Sequence, residues 1–401
     1  MKREKTMNQI CVLGGGASGM AAAITIAHNY PDIPVMILEK NSQLGKKLLA
    51  TGNGRCNISN SSIPGVENII DFLNTMGIFT REEENGRLYP FSGRADDVVG
   101  LLREGLISSG VEILTNFYVR EVEADGPGFL VRGSHGGLIQ EIKCSKVVLA
   151  MGGKASPQFG TLGEGYNIAR SLGLSVTKTF PGLTWVEVPK GHLDIQGVRA
   201  KGSAKLFRKG QLIAEEEGEI QFTKAGLSGI CIFNLSSQVV LGEDFSFKDY
   251  KISLDLMSAY SINEIERLLE ERSRITGITI GNILRSIIPS PLEKEVLNRL
   301  GISLEDLEKP ATNLSEPVRK LISHELKDLS YPIKGIGGWK DAQITIGGVS
   351  LSEVNPNTWE SNRVPGLYIV GELLDKQGPC GGYNLHNAWK TGIEAGKALG
   401  K

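Results

Sequence analysis

The sequence predicts an α/β protein in which a parallel sheet opens near the N-terminus and is completed near the C-terminus, with β-rich and helical stretches between. Three observations predict it. Gln9–Lys40 reads as strand, glycine turn, helix and strand; short strand patterns begin near Phe180; and a glycine-rich style returns near Trp339. The expected divisions are 1–180 and 336–401 for the two parts of the sheet domain, 181–258 for a β-rich insert and 259–335 for a small helical domain.

In the first unit, the apolar run Ile10–Leu13 reads as a buried strand. It feeds Gly14-Gly15-Gly16-Ala17-Ser18-Gly19 and then a helix of small residues. In this G-x-G-x-x-G spacing Gly14 permits the tight turn, Gly16 lets a pyrophosphate approach the backbone, and Gly19 lets helix and strand pack closely. The anion would sit on the helix N-terminus. A second apolar strand, Val35–Leu38, ends at Glu39, where a carboxylate can accept hydrogen bonds from the hydroxyls of an unphosphorylated adenosine ribose. Together these features mark a dinucleotide site, for NAD or FAD.

Composition bounds the rest. A chain of 401 residues can bury a large core in two or three domains. With 44 basic and 45 acidic residues, no overall field recruits nucleic acid or an anionic membrane, and aromatics are too sparse for a base-stacking platform. Ile10–Ala27 is apolar, but its glycines and alanines fit a nucleotide-binding turn better than a membrane span, and nothing resembles a cleavable secretion signal. Five dispersed cysteines without a C-x-x-C pair argue for a reducing compartment, hence a cytoplasmic location. Cys11, Cys144 and Cys231 lie in apolar runs and read as core thiols. The five histidines lack ligand spacing, so no metal site is expected.

After Lys40 the run Gln43–Asn57 concentrates amides, cations and backbone N–H groups, including Lys46, Lys47, Thr51, Gly52, Asn53, Cys56 and Asn57. It is either a solvated basic loop or the path from the pyrophosphate toward a cofactor's reactive end. Asn68–Gly77 and Ala95–Ser109 read as helices. Val111–Leu114, Val119–Glu123, Phe129–Arg132 and Ile139–Lys143 read as strands, with turns at Asp125-Gly126 and Gly136-Gly137. Lys146–Ala150 is a buried strand running into Met151-Gly152-Gly153, a second place where backbone could approach a cofactor. In the insert, Trp185–Val188, Ala204–Phe207, Leu212–Glu215 and Glu219–Phe222 are strand candidates, and the acids Glu215–Glu217 read as a solvated edge. Asn263–Arg272, Ile280–Ile287, Leu292–Leu300 and Pro317–Leu326 carry helical periodicity.

The C-terminal return decides the cofactor. Leu367–Val370 is a short apolar strand ending at Gly371-Glu372, and Gly378-Pro379-Cys380-Gly381-Gly382-Tyr383-Asn384 leads into a last helix. An NAD dehydrogenase has no use for these features. In two-dinucleotide-type flavoproteins a late acid meets the ribityl hydroxyls, and the final helix points its N–H groups at the flavin pyrimidine edge. FAD is therefore the expected cofactor.

The blocks GGGASGMAAA, LGKKLLATGNGRCNISN, VLAMGGKASPQFGTLGEGY, GEIQFTKAGLSGI, ITIGGVSL and GLYIVGELLDKQGPCGGYNLHNAWKTGIEAGKAL run in order over almost the whole chain. Together they resemble the BaiN/YhiN-type family of FAD-dependent oxidoreductases, often labelled aminoacetone oxidase-like. The resemblance implies a two-dinucleotide-type Rossmann FAD domain interrupted by a β-barrel-like domain and a small helical domain, with a small-molecule substrate held between domains. It assigns the pyrophosphate to Gly14–Gly19 and the adenosine ribose to Glu39 with Lys40. Lys46, Lys47, Thr51, Gly52, Asn53, Cys56 and Asn57 would line the path to the isoalloxazine. Val119 would meet adenine, and Ala150 and Gly152 would approach the cofactor backbone-first. Gly371 and Glu372 would meet the ribityl chain, and Gly381, Gly382, Tyr383 and Asn384 the pyrimidine edge. Lys224 stands where many relatives are expected to carry histidine.

The flavin would carry the hydride chemistry. No second complete G-x-G-x-x-G is visible, so NAD(P)H would bind transiently across the flavin face. Some relatives are assigned reduction of a conjugated enone such as a 3-oxo-Δ4 dehydro-bile acid. The alternatives are an oxidase of a small amine such as aminoacetone, and a flavin-containing binding or RNA-associated protein without turnover. Tyr383, Cys380 and Cys56 are the candidate proton donors, each with an alternative as a structural tyrosine or thiol. His386 reads as a packing or solvent-facing residue and Trp389 as core.

Overall fold

A computed structural model describes residues 8–189, 195–239 and 246–400. Contacts divide the chain into two units, residues 1–181 with 342–401, and Gly182–Asp341. In the first unit five strands form one parallel sheet: β1 (Ile10–Leu13), β2 (Val35–Leu38), β3 (Glu112–Leu114), β4 (Lys146–Leu149) and β5 (Leu367–Ile369). Their order is β5-β4-β1-β2-β3, so the earliest strand is central and the sheet is finished by residues more than 350 positions later. Every residue of β1 and β2 is buried, as continuous apolar runs require in a sheet covered on both faces.

Three helices frame the carboxyl edge of this sheet: α1 (Ala17–Asn29), α2 (Ala95–Ser108) and α3 (Tyr383–Ala398). Helices α1 and α3 pack through small residues. A Cβ at Gly392 would come within 2.3 Å of the Ser18 carbonyl oxygen, and one at Gly396 within 2.7 Å of Thr25 Cβ. That register runs the two helices in the same direction and brings both N-termini to the edge where β1 and β5 end. Between β3 and β4 the chain forms an antiparallel meander, Phe117–Asp125, Gly128–His135 and Leu138–Cys144, with each strand longer than its apolar core suggests.

The second unit holds a seven-stranded sheet, with Arg199–Arg208 paired on one side to Gln211–Phe222 and on the other to Tyr250–Asp255. The helices Ile262–Ser273, Ser290–Arg299 and Glu316–Lys327 share one core with this sheet, through Leu206, Ile252, Leu269, Val296 and Ile322. The β-rich and helical stretches are thus a single packed body, and strands Leu329–Pro332 and Gly335–Ile336 lie at the two edges of its sheet.

Two local expectations change, and one further helix is present. Leu212–Glu215 and Glu219–Phe222 are one continuous strand, because the acids between them are held within it: Glu215 pairs with Lys205 at 3.4 Å, and Glu216 accepts from Asn234 Nδ2 at 2.9 Å. Ile280–Ile287 is helical only as the short turn Ile280–Asn282, since Ser286 adopts a left-handed φ of 71° and Pro289 follows. Ile230–Val239 is that further helix.

Candidate active site

The glycine turn divides its work among three residues. Gly14 has a φ of 107°, and a Cβ there would lie 2.4 Å from the Ala150 carbonyl oxygen. Gly19 is pressed against the turn itself, with a virtual Cβ 1.9 Å from the Gly14 oxygen. A Cβ on Gly16 would meet nothing within 4 Å. Two glycines are therefore required by packing, and the third leaves space that the protein does not fill. Gly16 is also the N-cap of α1 and offers no side-chain cap, so the first-turn N–H groups remain available to an anion.

That space belongs to a cleft enclosing about 1330 Å³, part of it open to solvent. At one end Glu39, only 7% exposed, accepts from the Gly15 N–H at 2.7 Å, the Asn41 N–H at 2.7 Å and Asn41 Nδ2 at 2.8 Å. Lys40 pairs with Glu164, whose carboxyl is held below its usual range because Lys40 and the Leu162 N–H outweigh its burial. Thr161 lines this end, and among the described residues its buried Oγ1 has no hydrogen-bond partner. At the other end Lys47 Nζ lies 2.6 Å from Glu372 Oε2, while the Thr345 N–H donates to Glu372 Oε1 at 2.8 Å. Gly371, with a φ of 72°, backs onto Ser18, which ties the end of β5 to the start of α1.

Sixteen of the sequence-predicted cofactor residues line this cleft: Gly14, Gly15, Gly16, Ala17, Ser18, Glu39, Lys40, Lys46, Lys47, Thr51, Val119, Ala150, Gly152, Gly371, Glu372 and Asn384. Eight do not, and each has another task. Gly19 packs α1. Gly52 and Asn53 adopt left-handed conformations that bend the loop after Thr51. Cys56 is completely buried in the core, and burial pushes its thiol up to about 12. It does not line the cleft, in contrast to the expectation that it would line the path to the cofactor.

Asn57, in the amide orientation that satisfies both its groups, donates to the Ser59 oxygen at 3.0 Å and accepts from the Gly382 N–H at 3.1 Å. It thereby fixes the start of α3 without facing the cleft. Gly381 carries a φ of 119°, and Gly382 sits against the Ser59 backbone. Tyr383 Oη lies 2.8 Å from Ser62 Oγ. Asn384 closes the preceding loop, donating to the Gly378 oxygen at 2.8 Å and accepting from the Gly378 N–H at 2.8 Å.

Cys380 is half-buried, its Sγ donates to Gln343 Oε1 at 3.8 Å, and burial raises its thiol above the ordinary range. No disulfide joins any of the five cysteines among the described residues. His386 is a packing residue: it is 2% exposed, lies 2.9 Å from Ser59 Oγ, and is brought down to about 4 by burial and by the nearby Lys390 and Lys376. Trp389 is core, donating from Nε1 to the Ile58 oxygen at 3.2 Å.

The cleft also contains residues to which the sequence assigned no role, among them Gln343, Lys376, Asn387 and the Phe159–Thr161 segment. A helix N-terminus without a side-chain cap, a glycine opening onto empty space, a ribose-facing acid and an orphaned hydroxyl suit a dinucleotide, and the N-terminus of α3 at the same sheet edge suits the flavin ring. FAD brings hydride transfer to such a site. The fold and site define a two-dinucleotide-type Rossmann flavoenzyme.

Comparison with known proteins gives the family. Residues 63–398 match the model of the HI0933-like protein Rossmann domain, and the chain belongs to that family. It is 34% identical to a protein of Clostridium scindens named 3-dehydro-bile acid delta(4,6)-reductase, over 98% of this chain and 99% of that one. It is 29% identical to the ribosomal RNA dihydrouridine synthase of Escherichia coli strain K12, over 95% of each. The fold is similar to that of the 3-ketosteroid-delta4-(5alpha)-dehydrogenase of Rhodococcus jostii RHA1, with a TM-score of 0.50 and 15% identity over 100% of this chain and 99% of that one. The protein is an FAD-dependent oxidoreductase. Among the described residues, no helix is long and apolar enough to cross a membrane.

Proposed function

We propose that this protein uses FAD to reduce a carbon–carbon double bond conjugated to a carbonyl, with NAD(P)H as electron donor and a 3-oxo-Δ4 dehydro-bile acid or related steroid as substrate. The observation that carries this reading is the 34% identity, across almost the full length of both chains, to a relative named for that reduction. In such a substrate the carbonyl polarises the double bond, so hydride adds to the β-carbon and a proton to the α-carbon.

Cys380 is the proposed proton donor. Its thiol is kept protonated by burial, and its hydrogen-bond partner Gln343 is part of the cleft wall. The S–H proton passes to the α-carbon and the thiolate is reprotonated by water.

A second substrate reading rests on the relative named ribosomal RNA dihydrouridine synthase. The uracil 5,6-double bond is conjugated to the C4 carbonyl, so the same hydride and proton additions would reduce it. The near-neutral charge of the chain gives no overall attraction for RNA, and recognition would rest on local contacts.

Anaerobic titration of the FAD-loaded protein with NADH and NADPH, followed at the flavin visible band, tests the donor. Mixing the reduced protein with a 3-oxo-Δ4 steroid and, separately, with ribosomal RNA lacking the modification tests the substrate. Rapid reoxidation with formation of the saturated ketone supports the steroid reading, and dihydrouridine in the RNA supports the second. Bleaching by aminoacetone with recovery in air, and by neither nicotinamide, would replace both with an amine oxidase.

A further inference from the structure

The cleft is lined by four lysines, Lys40, Lys46, Lys47 and Lys376, and three glutamates, Glu39, Glu164 and Glu372. These charges are not equivalent. Lys40 is engaged by Glu164 and Lys47 by Glu372, while Glu39 accepts from three N–H donors. Among the described residues, neither Lys46 nor Lys376 has a carboxylate within ion-pair distance. Both are half-buried.

The surroundings of Lys376 sharpen the point. Its Nζ stands 5.0 Å from the Trp359 ring centroid, and the nearby acid, Glu394, accepts from the indole Nε1 at 2.8 Å. Burial first and Lys390 second pull this ammonium below the ordinary lysine range, outweighing the opposite charge of Glu394, and His386 next to the two lysines is neutral near pH 7. A half-buried cation facing another cation is unfavourable alone, and a counter-anion in the cleft relieves it.

We infer that Lys376, together with Lys46 from the opposite end of the sequence, is the charge partner of the bound flavin dinucleotide, and that Lys40 and Lys47 instead hold the walls of the cleft together. This rests on the FAD assignment. Two parts of that ligand carry negative charge: the diphosphate, in either redox state, and the ring of the reduced flavin. Both would draw on the same ammonium chemistry, and they separate experimentally.

The test is titration of FAD-stripped protein with FAD across a KCl series, followed by flavin fluorescence, with the midpoint potential measured on the reloaded protein. K376Q is expected to weaken FAD binding on the order of tenfold at low salt and to flatten the dependence of log Kd on log salt. K46Q behaves alike, K376R restores the slope, and K143Q, at a meander lysine paired with Asp125 outside the cleft, keeps it. If Lys376 answers the reduced ring, K376Q leaves the slope intact and makes the potential more negative. K376M, which keeps the stem against Trp359, replaces K376Q if the latter fails to fold. Wild-type slope and wild-type potential in a folded K376Q or K376M would overturn the inference. Failure of the wild-type chain to bind FAD would instead remove the cofactor assignment.

Discussion

Substituting Gly16 and Gly19 by alanine should separate the site from the scaffold within one motif. At Gly16 the backbone is extended, with φ −81° and ψ −171°, and the added methyl meets no protein atom within 4 Å. Alanine is compatible there, and loss of unfolded-state freedom should stabilise the FAD-free protein by about 0.4–1 kcal/mol. The same methyl occupies the approach path of the pyrophosphate, where overpacking costs about 1–3 kcal/mol, or roughly 5- to 150-fold in FAD affinity. At Gly19 the methyl would start 1.9 Å from the Gly14 oxygen, so α1 must retreat by about 1 Å to restore an ordinary contact. Gly19→Ala should therefore lower the FAD-free midpoint by about 1–3 kcal/mol as well as weaken FAD. Denaturant melts of stripped protein read the first quantity and FAD titration the second. A G16A protein that binds FAD like wild type would refute the placement of the pyrophosphate at this backbone.

Other expectations follow from single contacts. Glu39→Gln replaces an acceptor of three N–H donors and should destabilise the FAD-free protein by about 1–3 kcal/mol in denaturant melts, since part of the carboxylate's work is internal. His386 is held near 4 in the folded chain, against about 6.5 when unfolded, so the unfolded state binds the extra proton between these values. Stability should fall as pH drops from about 6.5 toward 4, by up to about 3 kcal/mol, and His386→Gln should flatten that slope in pH-dependent melts. Cys380→Ala should leave flavin reduction by the nicotinamide unchanged and slow reoxidation by the unsaturated substrate by about 100-fold or more in stopped-flow traces. Equal rates in that second half-reaction would remove the thiol from the proposed chemistry.

What the sequence made legible is what backbone conformation dictates. The strand into Gly14, the acid after β2 and the Gly371-Glu372 strand end are local patterns, and all converge on one sheet edge in the structure. The strand lengths of the meander and the fusion of Leu212–Glu215 with Glu219–Phe222 were not legible, because cross-strand partners such as Lys205 and Asn234 keep acids in a strand that local polarity would end. Ile280–Ile287 shows the converse: its apolar spacing is helical, but the left-handed Ser286 and the following proline decide the backbone.

Within the site, residue type proved a weaker guide than residue company. TGNGRC reads as a cofactor path, yet only Thr51 of this run lines the cleft. The turn conformations at Gly52 and Asn53 direct Cys56 into the core, so the polar segment supports the wall more than it forms it. Lys40 and Lys47 look like free cations in sequence and are already engaged, because their acids arrive from Glu164 and Glu372, more than 100 and more than 300 residues away. Lys376 lies inside the last of the family blocks, yet the resemblance gives it no role. Its significance comes from having no carboxylate within ion-pair distance among the described residues, a property of the folded neighbourhood that no spacing in the chain encodes.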